Sequence, residues 1–306
     1  MHNKTSEIKE ITFYLLAISL STSAFLHTYN NSSVFLFLKQ TPIGCCSNVL
    51  LMSKLPAKHR FLDFSDYGRT SARWIAHSLK NTFITPIHIT LLFGIVGVIA
   101  CGFILSNQYY LAGIFLILKS ILDAADGELA RVKKTPSYTG RYLDSIFDIL
   151  LNTMIVLSIC YVTQGSIIMA VLAFVGIQLQ GTLYNYYYVI LRNDFDGDNT
   201  SRINEKNAPI AFSGEKQKHV NLLYKIFNIL YRGFDQAIYH ADRQAPKNQN
   251  FPNWFMSCIS LLGLGSQMLL MAVMLSVGLL NYVLPFFIGY TALVPVFILL
   301  RRYINR

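Results

Sequence analysis

The most informative residues of the chain are four aspartates and a few small residues between positions 123 and 148. The stretch reads Asp123-Ala-Ala-Asp126-Gly127-Glu-Leu-Ala130-Arg131, then eight residues, Gly140, three residues, Asp144, three residues and Asp148. A carboxylate in apolar surroundings is costly unless it is paired or bound to a metal ion. Four of them between apolar runs therefore mark a candidate functional site.

Helical spacing places these carboxylates on shared faces. At about 100° per residue, Asp123 and Asp126 lie close together on one face, and Asp144 and Asp148 are stacked one turn apart. The connection between the two helices is short, so the helices are antiparallel neighbours and all four side chains can meet. An all-oxygen cluster of this kind suits Mg²⁺ or Mn²⁺. With Arg131 beside it, the cluster has the groups that a pyrophosphate ligand requires.

Small residues on the same faces have a separate explanation. Gly127, Ala130 and Gly140 remove side chains, which leaves a slot for a flat ring against the backbone. Such residues also let two membrane helices pack closely. Close packing alone gives no account of four aspartates, so we favour the slot.

The elements that position these residues are membrane helices. Of the 306 residues, 53% are hydrophobic and only 14% are charged, and the mean hydropathy is +0.40. This composition is typical of an integral membrane protein and excludes disordered, collagen-like and coiled-coil chains. The net charge of +10 is explained by basic cytoplasmic loops better than by nucleic acid binding. The five cysteines form no CxxC pair, so no zinc site is indicated.

Apolar runs predict an all-α bundle of six transmembrane helices. The runs are roughly 86–105, 111–129, 142–163, 166–190, 254–277 and 282–300, each near the length that crosses a bilayer. Lys and Arg alternate between the connections so that both ends of the six-span core are cytoplasmic. An amphipathic stretch over Gly68–Asn81 with Trp74 predicts an N-terminal interfacial helix.

Two further parts of the chain complete the predicted organisation. Residues 1–67 form an N-terminal cytoplasmic or interfacial segment without an assigned role, and it stays open whether residues 11–26 span the membrane. The six-span domain covers 68–306 and carries a cytoplasmic insertion at 192–250. Within that insertion, an apolar stripe that includes Phe227 and Ile238 predicts a second interfacial helix.

The pattern Asp-x-x-Asp-Gly-x-x-Ala-Arg-x8-Gly-x3-Asp-x3-Asp resembles the signature of the CDP-alcohol phosphotransferases (CDP-alcohol phosphatidyltransferases) without a departure. The resemblance implies a six-span enzyme of phospholipid synthesis, a homodimer and a divalent metal. It implies the following roles: Asp123, Asp126 and Asp144 hold the metal, Asp148 assists the metal site and acts as general base, and Gly127, Ala130, Arg131 and Gly140 bind the nucleotide. One position before the first span differs, because Ile87 stands where many members have Asn.

The expected reaction moves a phosphatidyl group from CDP-diacylglycerol to a polar alcohol and releases CMP. The alternatives are CDP-choline or CDP-ethanolamine as donor with diacylglycerol as acceptor, a non-catalytic homologue that acts as a scaffold, and a cation-coupled transporter. Transport sites usually lie at the midplane rather than at helix ends. We expect a bacterial inner membrane with the active site facing the cytoplasm.

Three basic residues are candidates for binding the acceptor. Lys119 lies one turn before Asp123 on the same face and either contacts phosphate or offsets the carboxylate charge. Arg141 follows the connection between the two signature helices. Arg192 ends the fourth predicted span, where snorkelling toward the interface is the alternative explanation.

Overall fold

The computed structural model describes residue 55 and residues 61–194, 207–247 and 250–305. Within these ranges the chain is helical and contains no strand, as the composition predicts. Most of the 1–67 segment and residues 195–206 of the insertion lie outside the described residues. The question whether residues 11–26 span the membrane therefore stays open. The α-helices are α1 (Arg69–Leu79), α2 (Pro86–Leu105), α3 (Tyr109–Lys133), α4 (Tyr138–Val162), α5 (Ile167–Asp194), α6 (Gln217–Ala241), α7 (Asn253–Ile259), α8 (Leu264–Ser276), α9 (Val283–Tyr290) and α10 (Leu293–Ile304).

The helices that are long and apolar enough to cross a membrane number four in the described part, or five with one bent pair. The four are α2, α4, α5 and the continuous stretch Leu280–Ile304, and the bent pair is α7 with α8. The span predicted at 254–277 thus corresponds to two helical segments with a bend of 52° between them. Helix α3 is long enough, but Lys119, Asp123 and Asp126 interrupt its apolar sequence. A count of six spans stays a prediction.

The two helix starts that border the site follow from local sequence. Pro86 is the first residue of α2, where a missing N–H costs nothing, and the backbone N–H of Thr85 donates to Nδ1 of His88 at 3.1 Å. Ser137 caps α4, because its hydroxyl accepts from the N–H of Gly140 at 2.8 Å. This cap satisfies a backbone donor that the first helical turn leaves unpaired.

The short segment before α1 packs against the bend between α7 and α8. The N–H of Phe64 donates to the hydroxyl of Ser260 at 2.9 Å, and the N–H of Gly265 donates to the hydroxyl of Ser65 at 3.1 Å. A Cβ at Gly265 would lie 1.8 Å from the carbonyl oxygen of Ser65, so only glycine fits there. Helix α1, which follows this segment, packs against α3.

Contacts at both ends attach the insertion to the bundle. Before α6, the carboxylate of Glu215 accepts from the hydroxyl of Ser137 at 2.7 Å and from the N–H of Thr139 at 2.8 Å. After α6, the buried Asp242 forms an ion pair with the guanidinium of Arg301 and accepts from the hydroxyl of Tyr187 at 2.6 Å. These contacts make residues 207–247 a structured part of the molecule.

The apolar stripe of α6 faces protein for at least two of its members, which corrects the prediction of a membrane-facing stripe at those positions. Phe227 lies 5.2 Å from the ring of Tyr142, centroid to centroid, and Ile238 is buried in a cluster with residues of α5 and α10. The exposed apolar residues of α6 include Leu222 and Ile229. Periodicity predicted the helix but did not identify what covers its apolar side.

Glu215 gives a testable dependence of stability on pH. Burial raises its pKa, but hydrogen bonds from Ser137, Thr139 and Phe212 outweigh that and hold the pKa below its ordinary value of 4.5. A carboxylate with a lowered folded-state pKa stabilises the fold above its ordinary pKa, and this contribution is lost as the pH falls through the lower value. We expect Glu215→Gln to cost about 1 kcal/mol near pH 7, at the low end for charge-assisted bonds because the group is partly exposed.

Unfolding of the purified protein in detergent, followed at several pH values, checks this expectation. The difference between wild type and Glu215→Gln should shrink as the pH falls through the lowered pKa of Glu215, because the protonated glutamate and the glutamine are both uncharged. A difference that stays constant across the range would show that the contacts of Glu215 do not depend on its charge.

Candidate metal and nucleotide site

The aspartate cluster, meaning Asp123, Asp126, Asp144 and Asp148, is formed by the facing ends of α3 and α4. Asp123, Asp126 and Asp144 each offer one carboxylate oxygen, and these three atoms all lie within 4.8 Å of one another. The spacing argument predicted that the two helices would bring these side chains together. The structure has this geometry for the three-aspartate group of Asp123, Asp126 and Asp144.

Thr90 on α2 is a member of the site that the sequence analysis missed. Its hydroxyl donates to Oδ2 of Asp126 at 2.7 Å, and both side chains are buried. Thr90 ends the segment Thr85-Pro86-Ile87-His88-Ile89-Thr90, in which Ile87 is the position that departs from the family pattern. The first span therefore contacts the cluster in spite of that departure.

Thr90 is expected to fix the orientation of the Asp126 carboxylate. Removing a group that orients a metal ligand typically costs 10- to 100-fold in metal affinity or activity. We expect Thr90→Val to weaken Mn²⁺ binding by about 10-fold or more, measured by titration of the purified protein, and Thr90→Ser to restore it. The matched control is Thr153→Val, whose hydroxyl donates within its own helix to the carbonyl of Ile149. Equal affinities for wild type and Thr90→Val would remove Thr90 from the site.

Asp148 lies outside the three-aspartate group and contacts Lys119, which also reaches Asp123 of that group. The ammonium of Lys119 donates to Oδ1 of Asp148 and, at 3.2 Å, to Oδ2 of Asp123. Lys119 is 1% exposed and also lies 4.8 Å from the centre of the Phe93 ring. The structure has the carboxylate contacts, and a contact of Lys119 with phosphate stays a prediction.

The residues of the three-aspartate group fit a hard divalent cation. Within the described part of the chain, Oδ1 of Asp144 is buried and has no hydrogen-bond partner. A buried carboxylate oxygen without a donor is costly, and a cation removes that cost. Carboxylate oxygens alone suit Mg²⁺ or Mn²⁺ better than zinc or copper.

Arg131 is held by a neighbouring carboxylate that the sequence analysis did not single out. Oε1 of Glu128 lies 3.0 Å from Nη2 of Arg131 and 3.7 Å from Nη1 of Arg69 on α1. Glu128 is almost fully buried, and Arg69 is paired in turn with Asp66. The sequence feature that could have identified this pair is an acidic residue in a largely apolar helix, three positions before an arginine. The ion pair between Arg69 and Glu128 thus connects the amphipathic helix α1 to α3, which carries the first part of the signature.

The two glycines of the predicted nucleotide slot have different neighbours. A Cβ added at Gly127 would have the Arg131 guanidinium as its nearest neighbour, at 3.6 Å. A Cβ at Gly140 would lie 3.2 Å from the hydroxyl of Ser137 and 4.0 Å from Cγ1 of Ile87. Ala130 is half-buried on the same helix as Gly127. The predicted slot at Gly127 is therefore bounded by a flexible cation rather than by packed backbone.

The three acceptor candidates occupy different environments. Lys119 is enclosed by carboxylates and an aromatic ring, as described above. The guanidinium of Arg141 lies 5.1 Å from the centre of the Tyr142 ring, and that of Arg192 is buried 5.9 Å from the centre of the Tyr188 ring.

A cavity of about 200 Å³ near Tyr188 is lined by Leu55, Phe61, Asp63, Asp66, Arg69, Arg73 and Tyr188.

Comparison with known families gives one match. The profile of the family described as CDP-alcohol phosphatidyltransferase matches residues 83–232. The match covers α2 to α5 and more than half of α6, and so includes the whole signature. No curated protein matches the chain.

Proposed function

Because the chain belongs to the CDP-alcohol phosphatidyltransferase family, we propose that it transfers a phosphatidyl group from CDP-diacylglycerol to the hydroxyl of a polar acceptor. Family membership makes the chain a transferase of phospholipid synthesis, and the choice of donor and acceptor is part of the proposal. The observation that carries it is the approach of three carboxylate oxygens within 4.8 Å of one another.

The proposed roles follow the contacts of the site. Asp123, Asp126 and Asp144 would hold Mg²⁺ or Mn²⁺, which neutralises charge on phosphoryl oxygens when it is bound. Arg131 would bind the pyrophosphate through its guanidinium. Gly127, Ala130 and Gly140 would leave room for the nucleotide. Glu128 and Arg69 would keep the guanidinium in place.

Asp148 is proposed as the general base. Lys119 donates to its Oδ1, so Oδ2 is the atom proposed to take the proton of the acceptor hydroxyl. The acceptor oxygen then forms a bond to the phosphorus that carries diacylglycerol. The bond from that phosphorus to the bridging oxygen breaks, and CMP leaves with the electron pair. The chemistry needs no covalent enzyme intermediate.

The position of the site supports access for both substrates. The aspartate cluster lies toward the ends of α3 and α4 that carry Arg131 and Arg141, the side that the charge pattern assigns to the cytoplasm. A lipid donor would arrive from the bilayer and a water-soluble acceptor from the cytoplasm, past Arg141 or Arg192. A bacterial inner membrane and a homodimer complete the proposal.

CMP release by the purified full chain in detergent tests the proposed function. The assay contains Mg²⁺ or Mn²⁺, CDP-diacylglycerol and one acceptor at a time, with EDTA and Asp148→Asn as controls. The cavity near Tyr188 carries both acidic and basic groups, so the panel should include zwitterionic serine as well as glycerol phosphate and inositol phosphate.

The outcomes separate the possible functions. CMP release with one acceptor, abolished by EDTA and by Asp148→Asn, supports the proposal and identifies the headgroup. Release only with CDP-choline or CDP-ethanolamine and diacylglycerol would replace it with the reversed arrangement. Folded protein that is silent with every donor would favour a non-catalytic homologue.

A further inference from the structure

Lys119 is a buried cation inside the aspartate cluster. It is 1% exposed, lies one helical turn before Asp123, and is in contact with both Asp123 and Asp148. Burying an ammonium in a membrane helix is costly unless its partners compensate for the lost hydration. Two carboxylates and the face of Phe93 supply that compensation.

The contacts divide the four carboxylates into two sets that share Asp123. One set is the three-aspartate group, whose oxygens approach one another closely enough for a common ion. The other set is Asp123 with Asp148, and Lys119 bridges these two. One carboxylate thus faces both a candidate metal position and an ammonium.

This arrangement matters because many phosphoryl-transfer sites use two ions. In such sites the ions lie about 3.5–4 Å apart and are bridged by shared carboxylates. With four aspartates, a second ion would use Asp123 as the shared ligand and Asp148 as its own. In this chain the ammonium of Lys119 contacts that pair of side chains.

We propose that Lys119 is a built-in cation that replaces a second metal ion, so that the chain binds a single Mg²⁺ or Mn²⁺. The inference rests on the proposed function, since it concerns the metal site of that reaction. Lys119 then acts as a positioning residue, because it holds Oδ1 of Asp148 and leaves Oδ2 for the acceptor hydroxyl. Its 1% exposure favours this positioning role over the binding of a water-soluble acceptor.

Counting bound Mn²⁺ tests the proposal without relying on activity. The purified full chain in detergent is titrated with Mn²⁺, and free ion is quantified by electron paramagnetic resonance. We expect one ion per chain for wild type and two for Lys119→Met. The neutral side chain no longer binds Oδ1 of Asp148 and Oδ2 of Asp123, so both oxygens become available to a second ion. The matched control, Lys134→Met, removes an exposed cation from the end of α3 and should bind one ion like wild type.

A double variant distinguishes an opened site from general loosening. In Lys119→Met with Asp148→Asn, the second ion loses its own ligand, so the count should return to one. A count of one in Lys119→Met itself would overturn the proposal. Wild-type protein that binds two ions would overturn it as well, even if no Lys119 variant folds.

The same titration separates this inference from the proposed function. Folded wild type that binds no Mn²⁺ and releases no CMP would remove the metal-dependent reaction, and the inference with it. Two ions bound by wild type, together with EDTA-sensitive CMP release, would leave the reaction in place and remove only the role of Lys119.

Discussion

Asp144→Asn is expected to lower the rate of CMP release by about 10³-fold or more. A bound metal ion supplies several kcal/mol of transition-state stabilisation, and each 1.4 kcal/mol is a factor of ten. Asp144 belongs to the three-aspartate group, and its buried Oδ1 has no hydrogen-bond donor among the described residues. The amide keeps the size of the side chain but removes the charge that attracts the cation.

The same substitution should have the opposite effect on the metal-free protein. The cluster has four carboxylates, and Lys119 contacts only two of them, so neutralising Asp144 relieves repulsion between like charges. Without metal, we expect Asp144→Asn to unfold at a higher temperature than wild type. Added Mn²⁺ should raise the unfolding temperature of wild type and leave that of the variant almost unchanged, because ligand that binds only the folded state stabilises it.

Thermal unfolding with and without Mn²⁺ measures both effects in one experiment. Glu215→Gln is the control, since Glu215 lies outside the cluster and binds the start of α4, and it should keep the full response to Mn²⁺. A normal response in Asp144→Asn would show that Asp144 is not a ligand.

Sequence spacing was sufficient to predict the central geometry of the site. Asp123 and Asp126 share a face of α3, Asp144 lies near the start of α4, and the short connection makes the two helices neighbours. These are local properties, because helical periodicity and loop length alone determine them. The structure accordingly brings the three oxygens together.

Helical periodicity and loop length could not predict the contacts between helices that are far apart in sequence. Thr90 and Asp126 are separated by 36 positions, and Arg69 meets Glu128 from a helix outside the signature. Which side chains meet across two helices depends on their rotation and depth, and the hydrophobic pattern constrains both only coarsely. The partner of Lys119 was undecided for the same reason, although its position on the helix was known.

The insertion shows a different limit. The stripe on α6 predicted a helix correctly, because an apolar face at helical spacing needs cover. A membrane surface and a protein groove satisfy that need equally well. Only the packing of Phe227 on Tyr142 and the attachments at Glu215 and Asp242 distinguish the two.

Asp148→Asn is expected to reduce kcat by about 10²- to 10⁴-fold, the usual contribution of a positioned general base. Asp148 is outside the three-aspartate group, so the count and affinity of bound Mn²⁺ should stay close to those of wild type. The KM for the CDP-alcohol should also change little, because Asp148 has no proposed contact with the nucleotide. This separation of kcat from metal binding is what distinguishes a base from a ligand.

Steady-state kinetics together with Mn²⁺ titration of the same preparations decide between the two roles. Asp148→Glu is the informative companion, since it keeps a carboxylate at a shifted position and should recover part of the rate. Loss of Mn²⁺ binding in Asp148→Asn would make Asp148 a ligand and would contradict the division of the cluster by Lys119. Retained metal binding with a rate above about a hundredth of wild type would assign the proton of the acceptor to another group, because a true base contributes at least about 10²-fold.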